Sequence, residues 1–409
     1  PSAWLIYAVC AYVKEAGDFG YLDKPMAYLD EGTDTVLGHL KRAIEWFERA
    51  DNYGAHGLPL IHHADWNDAL NIPDEKAESV LMAMLICKAY SDMAELADYV
   101  GDKDYADKMR SGKAKLAAAT NAAAYNGDYY VRAFSKFGTV GDKDCEGGAF
   151  YFNPQSWAIL AGIVPPERLP RLLQAVGDKD CSGGKIYVNT QSWAILSGIC
   201  PRERMQSVIA AMDSMETEKG IPMCSPAYQT YDETVGRMSG MLAGVYENGG
   251  IYNHAGCFKV MADCALGRGD EAVRALKKIA PDGKNNPSSV TTAEPYVFTN
   301  CYLLHPSVDM QVGFSWQTGT SAWGLMCVYE GILGLKRGYD GLHIEPALPS
   351  DWQTAEAVRT YRGNRLHIRY VNKGGKSVRL AVDGKSICGN VIPLFSDDKE
   401  HEITVTLGE

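Results

Sequence analysis

The segment Leu366-His367-Ile368-Arg369-Tyr370-Val371 alternates apolar and polar side chains with a period of two, which is typical of a half-buried β-strand. The same alternation occurs in His343-Ile344-Glu345-Pro346, Ser377-Val378-Arg379-Leu380 and Glu402-Ile403-Thr404-Val405. Turn sequences such as Asn372-Lys373-Gly374-Gly375 separate these segments. We therefore predict a small all-β domain over residues 340–409.

Upstream of residue 340 the apolar residues recur at helical spacing instead. One such face comprises Val36, Leu37, Leu40, Ala43, Ile44 and Phe47. Helices are predicted over residues 3–17, 33–52, 75–99, 103–124, 203–215, 258–266, 270–279 and 323–333, with a weak strand pattern at 129–134. Periodicity alone thus predicts a mainly α region over residues 1–339, followed by the β domain.

A repeat lies within the helical region. Residues 141–176 align without a gap to residues 177–212, and 21 of the 36 paired positions are identical. The identical positions include Gln155-Ser156-Trp157 and its counterpart Gln191-Ser192-Trp193. Because a solenoid needs at least three copies, we interpret the pair as one duplicated helical unit. At most one copy can hold the place that a single unit would hold in the fold.

Composition excludes several classes of function. The net charge of −11 argues against nucleic acid or an anionic membrane as a partner, and the chain contains no run of 18 apolar residues. The 11 cysteines form no Cys-x-x-Cys pair, so we expect reduced thiols and a cytoplasmic location. His62-His63 has no third ligand at a suitable spacing, so no metal site is expected. Since Pro1-Ser2-Ala3-Trp4 opens inside an apolar helical pattern, we expect this chain to be the C-terminal portion of a longer one.

The stretch His62-His63-Ala64-Asp65-Trp66-Asn67-Asp68-Ala69-Leu70-Asn71 carries two carboxylates three residues apart beside a tryptophan. Pro73 follows it and a helical pattern comes next, so we predict a loop that leads into a helix. A carboxylic acid can protonate a glycosidic oxygen, and an indole can stack on the apolar face of a pyranose. The structural alternative is an aspartate cap beside a tryptophan of the core.

Three other stretches combine polar groups with glycine or proline: residues 246–254, 315–323 and 294–300. In the first, Glu247 is a candidate acid or base and His254 can contact an anion; the alternative is a tight turn with a surface glutamate. In the second, hydroxyls and N–H groups before a helix form either a phosphate-type site or a plain Ser/Thr cap. In the third, Glu294 is a weaker candidate, and a buried acid with satisfied hydrogen bonds is the alternative.

Together these stretches resemble the inverting β-glycoside phosphorylases of glycoside hydrolase family 94, which include cellobiose, chitobiose, laminaribiose and cellobionic acid phosphorylases. The resemblance rests, in family order, on Asp65-Trp66-Asn67-Asp68, residues 189–199, Ser225-Pro226-Ala227-Tyr228, Tyr231-Asp232, Glu247-Asn248-Gly249, His254, Glu294-Pro295-Tyr296-Val297, residues 315–320, and Tyr339-Asp340-Gly341-Leu342 with Pro346. The combination covers nearly the whole chain and is specific, although each stretch alone would be weak.

The resemblance implies a fold, a reaction and a set of site residues. The fold is an (α/α)6 helical barrel, incomplete here at its N-terminus, followed by a C-terminal β-sandwich. The reaction is reversible phosphorolysis of a β-linked disaccharide with inversion, with inorganic phosphate as co-substrate and no other cofactor. The implied residues are the general acid Asp68, the substrate-binding residues Trp66, Asp65, Glu247, Asn300 and Tyr246, and the phosphate-binding residues His254, Thr318 and Gly319. A homodimer is implied as well.

The chemistry of these residues agrees with that reaction. An inverting hydrolase needs a base carboxylate to activate water, whereas phosphate is already an anionic nucleophile that such a base would repel. A neutral or cationic cradle should replace the base, and Thr318, Gly319 and His254 fit that description. The proton donor Asp68 needs a raised pKa, which burial and the nearby charge of Asp65 would supply.

The chain also departs from the family pattern. The family has an N-terminal β-sandwich, a helical linker and first barrel helices, carrying an Arg and an Asp that hold the transferred sugar, before the point where this chain begins. The duplicated unit has no family counterpart. Some cellobiose-acting members have Lys where this chain has Tyr246, so cellobiose is not the default substrate. The alternatives are an inverting hydrolase with Glu247 as base, and an inactive sugar-binding fragment.

Overall fold

A computed structural model describes residues 2–62, 72–145, 150–180, 186–198, 200, 202–231, 236–282, 284–375, 377–397 and 399–408. The chain divides into two compact units, Pro1–Lys179 and Asp180–Glu409. Among the described helices, none combines the length and the hydropathy that crossing a bilayer requires.

The first unit is mainly helical. Its helices are α1 (Ser2–Ala16), α2 (Val36–Glu48), α3 (Val80–Val100), α4 (Lys103–Ala123), α5 (Phe152–Leu160) and α6 (Leu169–Asp180), which ends at the boundary of the unit. Its strands are β1 (Pro25–Ala27), β2 (Thr33–Thr35), β3 (Glu78–Ser79), β4 (Ala133–Ser135) and β5 (Gly138–Val140). Strands β1 and β2 form one antiparallel pair, and β3, β4 and β5 form a small antiparallel sheet.

Two helices start later than the sequence pattern predicts, and caps explain the difference. Helix α2 begins after Thr35, whose side chain accepts a hydrogen bond from the N–H of Gly38. Helix α3 begins after Ser79, whose side chain accepts one from the N–H of Met82. In both cases the preceding residues pair in strands, so the helical predictions from 33 and from 75 were wrong by three and five residues.

The second unit begins with helices and ends with sheets. Its helices are α7 (Val188–Leu196), α8 (Arg202–Ser214), α9 (Asn253–Ala265), α10 (Gly269–Ile279), α11 (Ser288–Thr291) and α12 (Thr320–Met326), which continues as a π-helical turn over Cys327–Ile332. Its short strands among the helices are β6 (Ile186–Tyr187), β7 (Cys224–Ser225), β8 (Ile251–Tyr252) and β9 (Cys301–Tyr302). Strand β6 pairs with β7, and β8 pairs with β9.

The predicted C-terminal region of sheets is confirmed. Its strands are β10 (Leu335–Arg337), β11 (Gly341–Ile344), β12 (Thr354–Tyr361), β13 (Asn364–Asn372), β14 (Ser377–Val382), β15 (Lys385–Ile387), β16 (Val391–Pro393) and β17 (Glu400–Gly408). They form a three-stranded sheet, β10-β11-β16, and a five-stranded sheet, β12-β13-β17-β14-β15, in which only the β13–β17 pair is parallel. Leu366, Ile368 and Tyr370 are buried in a cluster shared with Leu342 and Ile344 of the smaller sheet, as the period-two pattern requires.

The two copies of the repeat contain the same helix. Helices α5 and α7 start and end at equivalent positions, 36 residues apart. Each helix is followed, two residues after its end, by a glycine at positive φ, which is Gly162 in the first copy and Gly198 in the second. Local sequence therefore determines the helix and its end in both copies, and the surroundings of the two helices are what differ.

Candidate functional site

The candidate acid loop connects two anchored ends. Its residues Asp65, Trp66 and Asp68 lie outside the described part of the chain. Before the loop, the N–H of Ile61 donates to the carbonyl oxygen of Ala77 at 2.8 Å. After the loop, Ile72 packs into the same small apolar cluster that buries Ile61. The chain thus enters and leaves the acid loop at one cluster of the first unit.

A buried carboxylate holds the segment that leads into this loop. Glu78 accepts hydrogen bonds from the backbone N–H groups of His56 and Leu58 at 3.0 and 3.1 Å. Its second oxygen lies 2.5 Å from Nδ1 of His56, whose ring stacks on Phe134. Because Glu78 is only 2% exposed, these partners replace the water that it loses. No sequence pattern singled out this carboxylate.

In the second unit, His254 occupies the first turn of α9, directly after strand β8. Among the described residues no side chain caps this helix, and the N–H of Asn253, its first residue, donates to the carbonyl oxygen of Asn300 at 2.9 Å. Nε2 of His254 is buried and has no hydrogen-bond partner among the described residues. Burial lowers the pKa of His254 below its ordinary value, which favours the neutral imidazole.

The structure brings Gly319 against His254. A Cβ atom on Gly319 would lie 3.0 Å from Cε1 and 3.3 Å from Nε2 of that ring, so the glycine leaves room for the imidazole. The neighbouring hydroxyl of Thr318 lies 2.6 Å from the hydroxyl of Thr320 and accepts a hydrogen bond from its N–H at 3.1 Å. The N-cap residue of α12 is Gly319, which makes no side-chain cap hydrogen bond, so the hydroxyl of Thr318 one residue earlier satisfies the first N–H of the helix beside the histidine.

Aromatic rings surround the other side of His254. Its ring lies 4.8 Å from that of Phe258 and 6.0 Å from that of Trp323, measured between centroids. Sequence reasoning assigned no role to either residue. The spacing of four residues between His254 and Phe258 places both on one face of a helix, and this signal could have identified Phe258.

The other predicted substrate residues of this unit lie near the β8–β9 pair. The side chain of Asn300 donates to the hydroxyl of Tyr252 at 3.4 Å. Burial, with a smaller contribution from the charge of Glu247, raises the pKa of Tyr252. Tyr246 has a φ of 48° and stacks on Phe314 with a centroid distance of 5.6 Å.

Glu247 lies in a tight turn, because the N–H of Asn248 donates to the carbonyl oxygen of Val245. The turn interpretation is thus correct, but the glutamate is partly buried rather than a free surface residue. Asn248 is fully buried, and its amide bonds the backbone of Tyr228 in both directions at 2.7 and 2.9 Å. This side chain fixes the turn that presents Glu247.

The buried-acid interpretation of Glu294 is wrong. Its carboxylate is exposed and accepts a hydrogen bond from the indole N–H of Trp316 at 2.9 Å. Hydrogen bonds, led by one from its own backbone N–H, lower its pKa. Trp316 is 71% exposed, so the pair lies at the surface of the second unit.

The chain matches the family model of the glycosyl hydrolase 94 superfamily catalytic domain over residues 2–176 and 169–334. The two matched segments overlap at residues 169–176, which belong to the first copy of the repeat. Together they cover well over half of the chain.

Curated relatives match nearly the full chain. It is 34% identical over 413 residues to solabiose phosphorylase from Paenibacillus borealis, covering 99% of this chain and 49% of the relative. It is 30% identical to 3-O-beta-D-glucopyranosyl-beta-D-glucuronide phosphorylase of the same organism, with the same coverage. It is 28% identical to N,N'-diacetylchitobiose phosphorylase from Vibrio proteolyticus, covering 99% of this chain and 46% of the relative. The chain spans about half the length of the curated relatives it matches.

Among solved structures, one titled sialidase is similar with a TM-score of 0.51 at 14% identity. The similarity covers 97% of this chain and 32% of that chain. At this identity the likeness concerns the fold alone.

Proposed function

Because the chain belongs to the glycosyl hydrolase 94 superfamily, we propose that it carries the catalytic part of an inverting disaccharide phosphorylase. The reaction is the reversible phosphorolysis of a β-linked disaccharide, which gives an α-sugar 1-phosphate and a free sugar. The relatives described above, each named as a phosphorylase, support this reaction class.

The observation that carries the proposal is the contact between His254 and Gly319. It joins a buried imidazole nitrogen, which has no hydrogen-bond partner in the described part of the chain, to a turn that offers the hydroxyl of Thr318. The imidazole N–H and the hydroxyl are donors that suit a phosphate anion. We propose that these groups hold phosphate as the nucleophile.

The proton is proposed to come from Asp68. A phosphate oxygen bonds to the anomeric carbon from one face while the bond from that carbon to the bridging oxygen breaks on the other. The departing sugar takes the proton of the Asp68 carboxyl, and because phosphate attacks the opposite face of the anomeric carbon, the β-linkage becomes an α-sugar 1-phosphate. Phosphate brings its own negative charge, and therefore no carboxylate base is required.

The remaining residues of the predicted set are proposed to bind the sugars. Glu247 and Asn300, of which Asn300 bonds the hydroxyl of Tyr252, offer an acceptor and an amide to sugar hydroxyls. Tyr246 adds a ring beside them, and Trp66 with Asp65 adds a stacking surface and a second acceptor.

The assembly of the whole enzyme remains a set of predictions. We propose that helices of residues 1–339 contribute to an (α/α)6 barrel and that residues 340–409 form a β-sandwich, in a homodimer. A cytoplasmic location is supported by buried free thiols such as Cys87, Cys257 and Cys327, which pack as small apolar side chains.

The proposal is tested by phosphate release in the synthetic direction. Glucose 1-phosphate and N-acetylglucosamine 1-phosphate serve as donors against a panel of acceptor sugars, and the disaccharides named in the relatives serve in the reverse direction. Turnover must require phosphate. Release of free sugars without phosphate would replace the proposal with an inverting hydrolase that uses Glu247 as base.

A second experiment tests whether this chain is active without the portion that its relatives have in addition. The same assay is run with this chain and with a fusion that adds the preceding portion of the solabiose phosphorylase relative. Activity of the fusion alone identifies the chain as an incomplete enzyme, whereas sugar binding without activity in both forms supports a binding fragment.

A further inference from the structure

The ring of His254 belongs to a group of four aromatic side chains, which we call the four-ring cluster: His254, Phe258, Trp323 and Trp193. Trp193 lies 5.0 Å from Phe258 and 6.3 Å from Trp323, and Phe258 lies 4.8 Å from Trp323. Two of these contacts are edge-to-face, with interplanar angles of 81° and 90°. Such contacts fix ring orientation as well as position.

Trp193 reaches this cluster because its helix packs along the helix of His254. Val188 near the start of α7 is buried in one apolar cluster with Ala255 of α9. Ile195 near the end of α7 is buried in another with Ala262 of α9. Contacts at both ends of α7 therefore hold Trp193, which lies between them in sequence, in place.

The equivalent tryptophan of the first copy has different neighbours. The ring of Trp157 meets the ring of Trp4 edge-on at 5.7 Å. Two residues earlier, the side-chain amide of Gln155 bonds the backbone of Tyr130 in both directions at 2.7 and 2.8 Å. The first copy thus packs on the helical first unit, with no histidine ring beside its tryptophan among the described residues.

We propose that Trp193 is a positioning residue for His254, and that Trp157, its counterpart in the repeat, has no such role. The second copy, residues 177–212, is then the functional copy of the duplicated unit. This inference rests on the proposed phosphate site and adds a residue to it.

The contact acts through two intermediate rings. Trp193 touches Phe258 and Trp323, and both of these touch His254, so the indole prevents either ring from shifting away from the imidazole. A fixed imidazole keeps Nε2 toward Gly319. The same rings help to bury the imidazole, and this burial lowers the pKa of His254.

The test compares Trp193→Phe with Trp157→Phe, two identical substitutions at equivalent positions. Trp193→Phe is expected to raise the KM for phosphate about five-fold, because the interaction energy of one aromatic pair corresponds to a change of about that size. The KM for the disaccharide should stay within about two-fold of the wild-type value. The substitution should also raise the pKa of His254, followed by NMR of histidine-labelled protein, because water reaches the ring. Trp157→Phe should change neither quantity.

A purely structural role would not produce this result. An unchanged phosphate KM and an unchanged His254 titration in Trp193→Phe, or equal changes in both variants, would overturn the proposal. If Trp193→Phe does not fold, Trp193→Tyr, compared with Trp157→Tyr, replaces the indole by another smaller ring and should give the same two shifts.

Failure of the proposed function would look different. Inorganic phosphate should shift the His254 resonances of the wild type. If it does not, the phosphate site is wrong, yet a higher His254 pKa in Trp193→Phe alone would still establish that Trp193 positions the ring.

Discussion

The ammonium nitrogen of Lys259 lies 2.5 Å from Oδ2 of Asp263, and both side chains are completely buried. Both residues belong to α9, the helix that carries His254. Arg268, before α10, contributes a second cation 3.1 Å from Oδ1 of Asp263, and Glu216, after α8, lies 3.7 Å from Lys259. A buried network of alternating charges therefore connects three helical segments of the second unit.

Removal of one charge from this network should lower the stability of the fold. Lys259→Met is expected to lower the free energy of unfolding by about 3 kcal/mol, because it removes the closest partner of a buried carboxylate. Urea denaturation at pH 7 measures the change. Lys277→Met, at an exposed position of α10, is the control and should change stability by less than about 0.5 kcal/mol. Similar losses in both variants would contradict the energetic role of the pair.

The lowered pKa of Glu216 predicts that the stability of the protein depends on pH. Burial opposes its ionisation, but hydrogen bonds from Arg274 at 3.0 Å and Lys278 at 2.7 Å, with the charge of Lys259, outweigh burial and lower its pKa to about 2. Because the folded pKa lies below the unfolded value of 4.5, the stabilisation is complete above pH 4.5 and is lost as the pH falls towards 2.

Glu216→Gln should therefore destabilise the protein by about 2 kcal/mol at pH 7. The difference from the wild type should shrink below pH 4.5, which denaturation at several pH values would follow. Glu218→Gln, two residues later and exposed, should show no such trend. A constant difference across this range would indicate that the glutamine disturbs packing and that the charge is unimportant.

Periodicity predicted most of the fold because burial acts along one helix or strand. The alternation at Leu366, Ile368 and Tyr370 is visible without knowledge of the partner strands, and the structure buries all three. Periodicity could not find the starts of α2 and α3. Those starts are set by the side chains of Thr35 and Ser79, which cap the two helices. Each of these residues also ends a short strand, so the helix cannot begin earlier.

The site was only partly accessible to sequence reasoning. Polar residues in glycine-rich stretches pointed to His254 and Gly319, and the structure places them in contact. The rings of Phe258, Trp323 and Trp193 were missed, because tryptophan and phenylalanine at helical spacing are ordinary core residues. Glu78 was missed as well, since two of its three hydrogen-bond partners described above are backbone N–H groups, which no side-chain pattern encodes.

The contact between Gly319 and His254 gives a direct test of the phosphate cradle. Gly319→Ala should raise the phosphate KM roughly ten-fold, because the new methyl group displaces the imidazole that binds the anion. The backbone of Gly319 has a φ of −78°, which alanine adopts without backbone strain, so the fold should be retained. Ser321→Ala, exposed in the first turn of α12, is the matched control. Steady-state kinetics with varied phosphate would reject the cradle if both variants behaved alike.

Asp68→Asn tests the proton donor itself. The amide cannot protonate the bridging oxygen, so kcat for disaccharide phosphorolysis should fall roughly a thousand-fold in whichever form of the chain is active. A dinitrophenyl β-glycoside, whose leaving group departs without a proton, should lose far less activity. Asp65→Asn, three residues earlier, is expected to weaken the binding of both substrates to a similar extent, because the proposed role of Asp65 is substrate binding. If Asp68→Asn also slowed both substrates equally, the carboxyl at position 68 would be a binding group, and the donor of the proton would have to be sought elsewhere.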